Sequence, residues 1–325
     1  MSFRTPVSDS TPPHVLAKSS PAAGSRDRPV APAARLWPAL VPLRLLGLLP
    51  LALSRALGAA FGELMYHVNG KRRRIARINL ALCFPQLPPP ERARMLRRHF
   101  RLLGRSYFDL AFLAWASDRR FERKTELVGL EHLRASLDRG RRVILLAPHA
   151  LGMNVGGIVV SRHAPVFSMV KPQRSPALNW LLARARVRYG APLVARAQGM
   201  RPVLRGLEQR LVFYYLPDED FGPQRSVFAP FFGVPAATLP TLGRLAALTG
   251  ADVVPCFTRM LPGGRGYRVT LEPALADFPS GDPVADAGRM NAVLEAGIRA
   301  APEQYMWTFR LFRTRPDGAR SPYDR

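Results

Sequence analysis

Cysteine is nearly absent: Cys83 and Cys256 are the only two in 325 residues, and they lie far apart in the chain. That excludes a disulfide scaffold and a cysteine metal cluster, and it fits a reducing compartment. Histidine is scarce too, and its six scattered copies make no zinc-ligand spacing. Acidic residues are few, 23 against 48 Lys and Arg, for a net charge of +25. Such an imbalance points to polyanionic partners: nucleic acid, an anionic membrane surface, or acidic proteins and lipids. No glycine-rich loop has P-loop or dinucleotide-binding spacing, and no internal repeat is present. The most apolar stretch falls short of the roughly 20 uninterrupted residues that a membrane-spanning helix wants.

What is present is enough apolar residue, 47% of the chain, to build one large α/β domain or two small ones. Residues 1–35 are rich in Pro, Ser and Ala without an apolar period and read as a disordered tail. Residues 36–61, "LWPALVPLRLLGLLPLALSRALGAAF", are strongly apolar but interrupted by Arg44 and Arg55. At 100° per residue those arginines fall about 20° apart on one helical face. One thin basic stripe on an apolar helix suits a segment lying in a membrane interface, so residues 36–70 are expected as a membrane-associated helix. The alternative is an amphipathic helix buried in the domain. "KRRRIAR" at 71–77 adds a polybasic run next to it, which attracts anionic headgroups. No aromatic stacking platform or nucleic-acid motif accompanies that run, so nucleic acid is not expected as a partner. The main domain is expected over 71–316, with a flexible tail at 317–325.

Met95, Leu96, Phe100, Leu103 and Tyr107 recur at helical spacing, which predicts a helix over 91–115 begun by Pro88, Pro89 and Pro90. Beyond residue 125 the pattern alternates. Strands are predicted at Val143–Ala147, Val166–Val170, Leu211–Leu216, Val253–Phe257 and Tyr267–Leu271. Helices are predicted at Glu131–Asp138, Pro176–Tyr189, Met200–Gln209 and Pro240–Leu248. This is the pattern of an α/β sandwich with a mostly parallel or mixed central sheet flanked by helices.

The candidate site residues follow predicted strands. In "RRVILLAPHALGMNVGG" (141–157), His149 comes directly after an apolar strand, where sites in α/β sheets collect. Imidazole is the side chain best suited to act as a base near neutrality; a histidine that merely ends a strand is the plainer reading. Asn154 stands five residues on, where a base would find its carboxylate. In "FYYLPDEDFGPQRSVFAPFFGVPAATLPTLGRLA" (213–246), Asp218, Glu219 and Asp220 follow another strand. Three such acids can hold a cation, orient a base, or form a solvated turn. A helix expected to begin near Thr238 offers free N–H groups to an anion. Arg225, Lys171 and Arg174 add positive charge.

With these pieces in order, the chain resembles the bacterial lipid A late acyltransferases, the lauroyl/myristoyl acyltransferases of lipopolysaccharide biosynthesis. The resemblance rests on "RRRIARINLALCFPQL" (72–87), the span from "EHL" to "PHALG" (131–152), "YYLPDEDFG" with "VFAPFFGVPAAT" (214–238), and "PEQYMWTFRLFRTRP" (302–316). It implies a glycerolipid-acyltransferase-like fold on the cytoplasmic face of the bacterial inner membrane. It implies transfer of a fatty acyl chain from acyl carrier protein to a hydroxyl of a lipid A precursor, with no metal or cofactor. In the family a histidine, four residues, then Asp or Glu form the acid–base pair. His149 matches as the base, while Asn154 occupies the acid's position. Asn154, or a nearby acid such as Asp218, is expected to orient the ring, and Asp220 and Thr238 join Lys171, Arg174 and Arg225 as expected substrate contacts. The family's closing Trp-x-His-Arg-Arg-Phe-Lys is also altered, with Phe309 at the histidine's place. Two alternatives stand beside this reading: a catalytically impaired membrane-bound paralogue that binds lipid or acyl carrier protein, and a lysophospholipid acyltransferase.

Overall fold

The computed structural model describes residues 37–324, so the tail expected over 1–35 lies outside the described residues. The apolar N-terminal segment forms two helices rather than one, α1 (Trp37–Leu48) and α2 (Leu51–Val68), broken at Pro50, which has no N–H to continue the first. Next come α3 (Gly70–Cys83), whose N-cap Asn69 accepts from Arg72 N–H, and the 27-residue α4 (Pro89–Trp115), begun by prolines as expected. No helix among the described residues is long and apolar enough to cross a membrane.

Helices α2 and α4 approach closely because glycines meet at their crossing: a Cβ on Gly58 would stand 2.8 Å from Arg105 Cα. Here the structure corrects the expectation of an exposed arginine stripe. Arg44 is exposed, but Arg55 is only 4% exposed and pairs with buried Asp109 of α4 at 3.0 Å. The same guanidinium donates to the carbonyls of Leu261 (3.0 Å) and Gly266 (3.3 Å), and Tyr267 O–H donates to Asp109. A helical wheel gives the angle of a side chain but not whether protein or lipid lies opposite. The outward face of this helix pair remains apolar, with Trp37, Val41, Leu45 and Leu48 on α1 and Leu53, Leu57, Phe61, Leu64 and Val68 on α2 all exposed.

The rest is a mixed α/β unit. Its elements are α5 (Asp118–Glu122), β1 (Thr125–Val128), α6 (Leu130–Asp138), β2 (Val143–Leu146), α7 (Met153–Val160), β3 (Val166–Val170), α8 (Pro176–Arg186), β4 (Leu193–Ala195), α9 (Arg201–Glu208), β5 (Val212–Tyr215), β6 (Val227–Phe231), β7 (Val234–Thr238), α10 (Thr241–Thr249), β8 (Asp252–Leu261), β9 (Gly266–Leu271) and α11 (Pro283–Arg299). Seven strands form one sheet in the order β1-β9-β8-β2-β5-β3-β4, parallel except for the β8–β9 pair, with helices flanking it. β2 lies inside the sheet and all four of its residues are buried, which explains its unbroken apolar sequence. β6 and β7 form a separate hairpin around Phe232 and Gly233, both at positive φ.

The expected flexible tail at 317–325 is tied down in part. Tyr323 is buried, bonds Asn79 of α3 and accepts from the Phe312 N–H at 3.1 Å, and its carbonyl accepts from Arg74 at 2.6 Å.

The Arg55–Asp109 pair gives a stability prediction. Asp109→Ala leaves a buried, unpaired guanidinium and should cost about 3–5 kcal/mol in denaturant unfolding of the detergent-solubilised protein. A loss under about 1 kcal/mol, the scale of an exposed pair, would contradict this account.

Candidate active site

Two parallel neighbours deliver the central residues. β2 and β5 pair with Leu146 opposite Tyr215, and Ala147 N–H continues the ladder to Tyr215 C=O at 3.0 Å. His149 lies three residues beyond Leu146, and Asp218 lies three beyond Tyr215. Each follows a proline, Pro148 or Pro217, which biases the residue before it towards extended backbone. Equal offsets from a register pair bring the two side chains together.

His149 Nδ1 lies 2.6 Å from Asp218 Oδ1. The His149 backbone N–H and the Tyr305 hydroxyl both donate to Asp218 Oδ2 at 2.8 Å. Burial opposes the Asp218 charge, but the imidazole beside it and these bonds hold its carboxyl below the ordinary value. Burial likewise opposes charge on His149, yet Asp218 and then Glu219 raise its pKa above the usual imidazole range. An ionised carboxylate only accepts, so Nδ1 carries the proton and Nε2 presents its lone pair. The ring is 15% exposed and the carboxylate 4%, so Nε2 is the reachable end of a buried pair.

The C-terminal segment closes over the pair. Ala150 bridges to Tyr305, Leu151 N–H donates to Gln304 C=O (2.8 Å), and Met306 N–H donates to His149 C=O (3.0 Å). Asn79 donates to the carbonyls of Trp307 (2.6 Å) and Phe309 (2.7 Å), linking the "RRRIARIN" helix to this segment. The Phe309 ring packs 5.3 Å from the imidazole.

A cavity of about 650 Å³ opens beside His149. Its lining includes hydrocarbon from Met153, Ile158, Val166, Phe167, Leu193 and Phe213 together with Lys171, Arg225 and Arg244, which are exposed, and the half-buried Arg196. A lining that combines hydrocarbon with cations fits an amphiphile bearing negative charge.

The sequence-selected residues divide. His149 and Asp218 meet, and Lys171 and Arg225 line the cavity. Arg174 is exposed and does not line it. Asn154 lines it but does not serve the histidine; its Oδ1 accepts from Arg186 Nε (2.9 Å) and Nη2 (2.8 Å). Arg186 is half-buried in the last turn of α8, and desolvation depresses its pKa. Asp220 is a structural latch: it accepts from Thr314 N–H (2.6 Å), Thr314 hydroxyl (2.8 Å) and Gly222 N–H (2.9 Å). Thr238 does not begin a helix. It ends β7, buried, and accepts from Asn291 at 3.0 Å, because the hairpin uses up the residues before it; α10 starts at Thr241, which lines the cavity.

Sequence reasoning missed Arg186, Arg196 and Tyr305. The matched "APH" and "LPD" after two apolar strands were a usable signal for the His149–Asp218 meeting. The two arginines carried none, being two among many.

An oriented imidazole beside a cavity lined in part by hydrocarbon is the equipment of an enzyme that works on a hydroxyl beside a hydrocarbon chain. The chain belongs to the family of bacterial lipid A biosynthesis acyltransferases, whose pattern matches residues 27–314, and it is an acyltransferase. A lipid A biosynthesis acyltransferase of Haemophilus influenzae is 35% identical over 284 residues, covering 87% of this chain and 89% of that protein. The lipid A biosynthesis lauroyltransferase of Escherichia coli is 34% identical over 288 residues (88% and 94%), and the myristoyltransferase of the same organism is 32% identical over 270 (82% and 83%).

Asp220→Ala should leave the Thr314 donors unpaired and cost about 1–3 kcal/mol of stability, seen as a lower melting temperature, while the His149 titration stays where it was. A displaced titration with unchanged stability would contradict the latch role.

Proposed function

We propose that this enzyme transfers a fatty acyl group from acyl carrier protein to a hydroxyl of a lipid A precursor during lipopolysaccharide biosynthesis. The observation that carries the reading is the His149–Asp218 pair, with His149 lining a cavity built in part of hydrocarbon. The acceptor hydroxyl gives its proton to His149 Nε2 as its oxygen attacks the acyl thioester carbonyl. Asp218 holds the ring and stabilises the imidazolium. The tetrahedral intermediate collapses, the C–S bond breaks, and the proton on Nε2 passes to the leaving thiolate. The hydrocarbon part of the lining takes the acyl chain, and Lys171, Arg225 and Arg244 meet phosphate on either substrate. Arg186, hydrogen-bonded to the neutral Asn154 amide, brings positive charge to the side of the cavity nearest Asn154.

The exposed apolar rows of α1 and α2, next to Lys71, Arg72 and Arg73 at the start of α3, support peripheral attachment to an anionic membrane, the cytoplasmic face of the bacterial inner membrane. The impaired-paralogue reading rested on Asn154 as the missing acid. The 2.6 Å contact of Asp218 with His149 supports the active reading instead.

The test is acyl transfer in detergent from acyl carrier protein to a lipid A precursor. His149→Ala should abolish turnover. Asp218→Asn should lower it by roughly 10³- to 10⁴-fold, by analogy with other His–Asp pairs. Asn154→Asp should place its carboxylate on Arg186 and change the rate by less than about tenfold. Because the neutral ring is the base and its pKa is raised, kcat/KM should climb with pH through a value above the usual 6.5 or so. Unchanged turnover in His149→Ala would overturn the assignment. A silent Asp218→Asn with a large gain in Asn154→Asp would return the orienting role to position 154.

A further inference from the structure

The mechanism above leaves a second carboxylate at the substrate side of the base unused. Glu219 Oε1 stands 3.8 Å from His149 Nε2, the nitrogen that must take the proton. Its other oxygen, Oε2, accepts from Arg196 Nη1 at 3.1 Å, and the Arg196 guanidinium stacks 4.0 Å over the Phe221 ring. Glu219, Phe221 and Arg196 all line the reaction cavity. Arg196 is thus fixed by a ring from one side and holds Glu219 so that one oxygen faces the imidazole.

We propose that Glu219 is a positioning residue for the transfer, a second carboxylate that stabilises the imidazolium at its Nε2 end, with Arg196 as its anchor; this rests on His149 being the base. At 3.8 Å the contact is too long for a hydrogen bond and within ion-pair range. It matters only once Nε2 bears the proton, when a carboxylate stands within ion-pair range of the charged ring. Interaction confined to the charged state accelerates the step instead of tightening substrate binding. The proton taken from the acceptor hydroxyl rests on Nε2 beside Glu219 and then moves to the leaving thiolate, so Glu219 itself gains and loses no proton. The other groups facing the ring are Asp218, from the same post-β5 segment, and the Arg196 cation from the turn after β4. Phe309 from the C-terminal segment is uncharged, and the Tyr305 hydroxyl is engaged on Asp218. Removing Glu219 therefore removes one of two negative neighbours and leaves the Arg196 charge unopposed.

The test compares pH–rate profiles of the full-length protein carrying Glu219→Gln, Glu219→Asp and, as a control for losing a surface carboxylate, Glu126→Gln, which loosens an exposed pair with Arg268. In Glu219→Gln the plateau kcat should fall about three- to tenfold, a modest factor because the pair is partly exposed, and the rising limb should move to lower pH with KM little changed. Glu219→Asp should recover part of both effects, and Glu126→Gln should alter neither. A fall in kcat with an unmoved limb would reduce Glu219 to a structural role, and an unchanged profile would overturn the proposal. His149→Ala run alongside separates the two failures: if it is inactive while Glu219→Gln is silent, only this inference fails, and if it is active, the base assignment fails with it.

Discussion

The hydrogen bond between His149 and Asp218 exists because two parallel strands leave the sheet side by side. Everything proposed for the site depends on the β2–β5 register, with Leu146 opposite Tyr215. A slip of one residue would turn every side chain of β2 to the other face. It would also separate two groups whose pairing keeps one nitrogen protonated and the other free. Burial makes the arrangement demanding. With both partners withdrawn from water, each carboxylate lone pair needs a donor, and the Tyr305 hydroxyl and His149 N–H supply them. The C-terminal segment is therefore part of the site's electrostatics rather than a cover over it.

The elements outside the sheet hold that arrangement at a distance. α3 reaches the segment through Asn79, which bonds Trp307, Phe309 and Tyr323. α2 and α4 are joined to the β8–β9 end of the sheet through Arg55, Asp109 and Tyr267. The helices that present apolar residues outward are thus bolted to the sheet that carries His149. On the proposed reading, this makes a rigid path between the apolar outer face and His149 Nε2.

Much of the fold was legible because its signals are local. The run at 143–147 is apolar throughout, as a strand covered on both sides must be, and the run at 166–170 is apolar but for Ser168; both became strands. Short edge elements were not legible: β4 has three residues, and β1 carries Glu126 on an exposed face. The β6–β7 hairpin was not among the predicted strands. Pro230 and Pro235 stand opposite each other in a two-stranded ribbon, where free edges tolerate a residue without an N–H. In the site, His149 and Asp218 were each readable from their places after strands. Their pairing was readable only through the register, and the diversion of Asn154 to Arg186 rests on a contact 32 residues away in the chain. Arg55 shows the same limit, since its periodicity was read correctly and its surroundings were not.

The central claim is that Asp218 fixes the tautomer and basicity of His149. Nitrogen-15 NMR of the histidine rings in the detergent-solubilised protein, with His149 assigned by substitution, tests it without substrate. The account predicts a neutral ring protonated at Nδ1, titrating above the usual value of about 6.5, and a titration that moves down in Asp218→Asn. A ring protonated at Nε2, or a midpoint below that value and indifferent to Asp218→Asn, would contradict it.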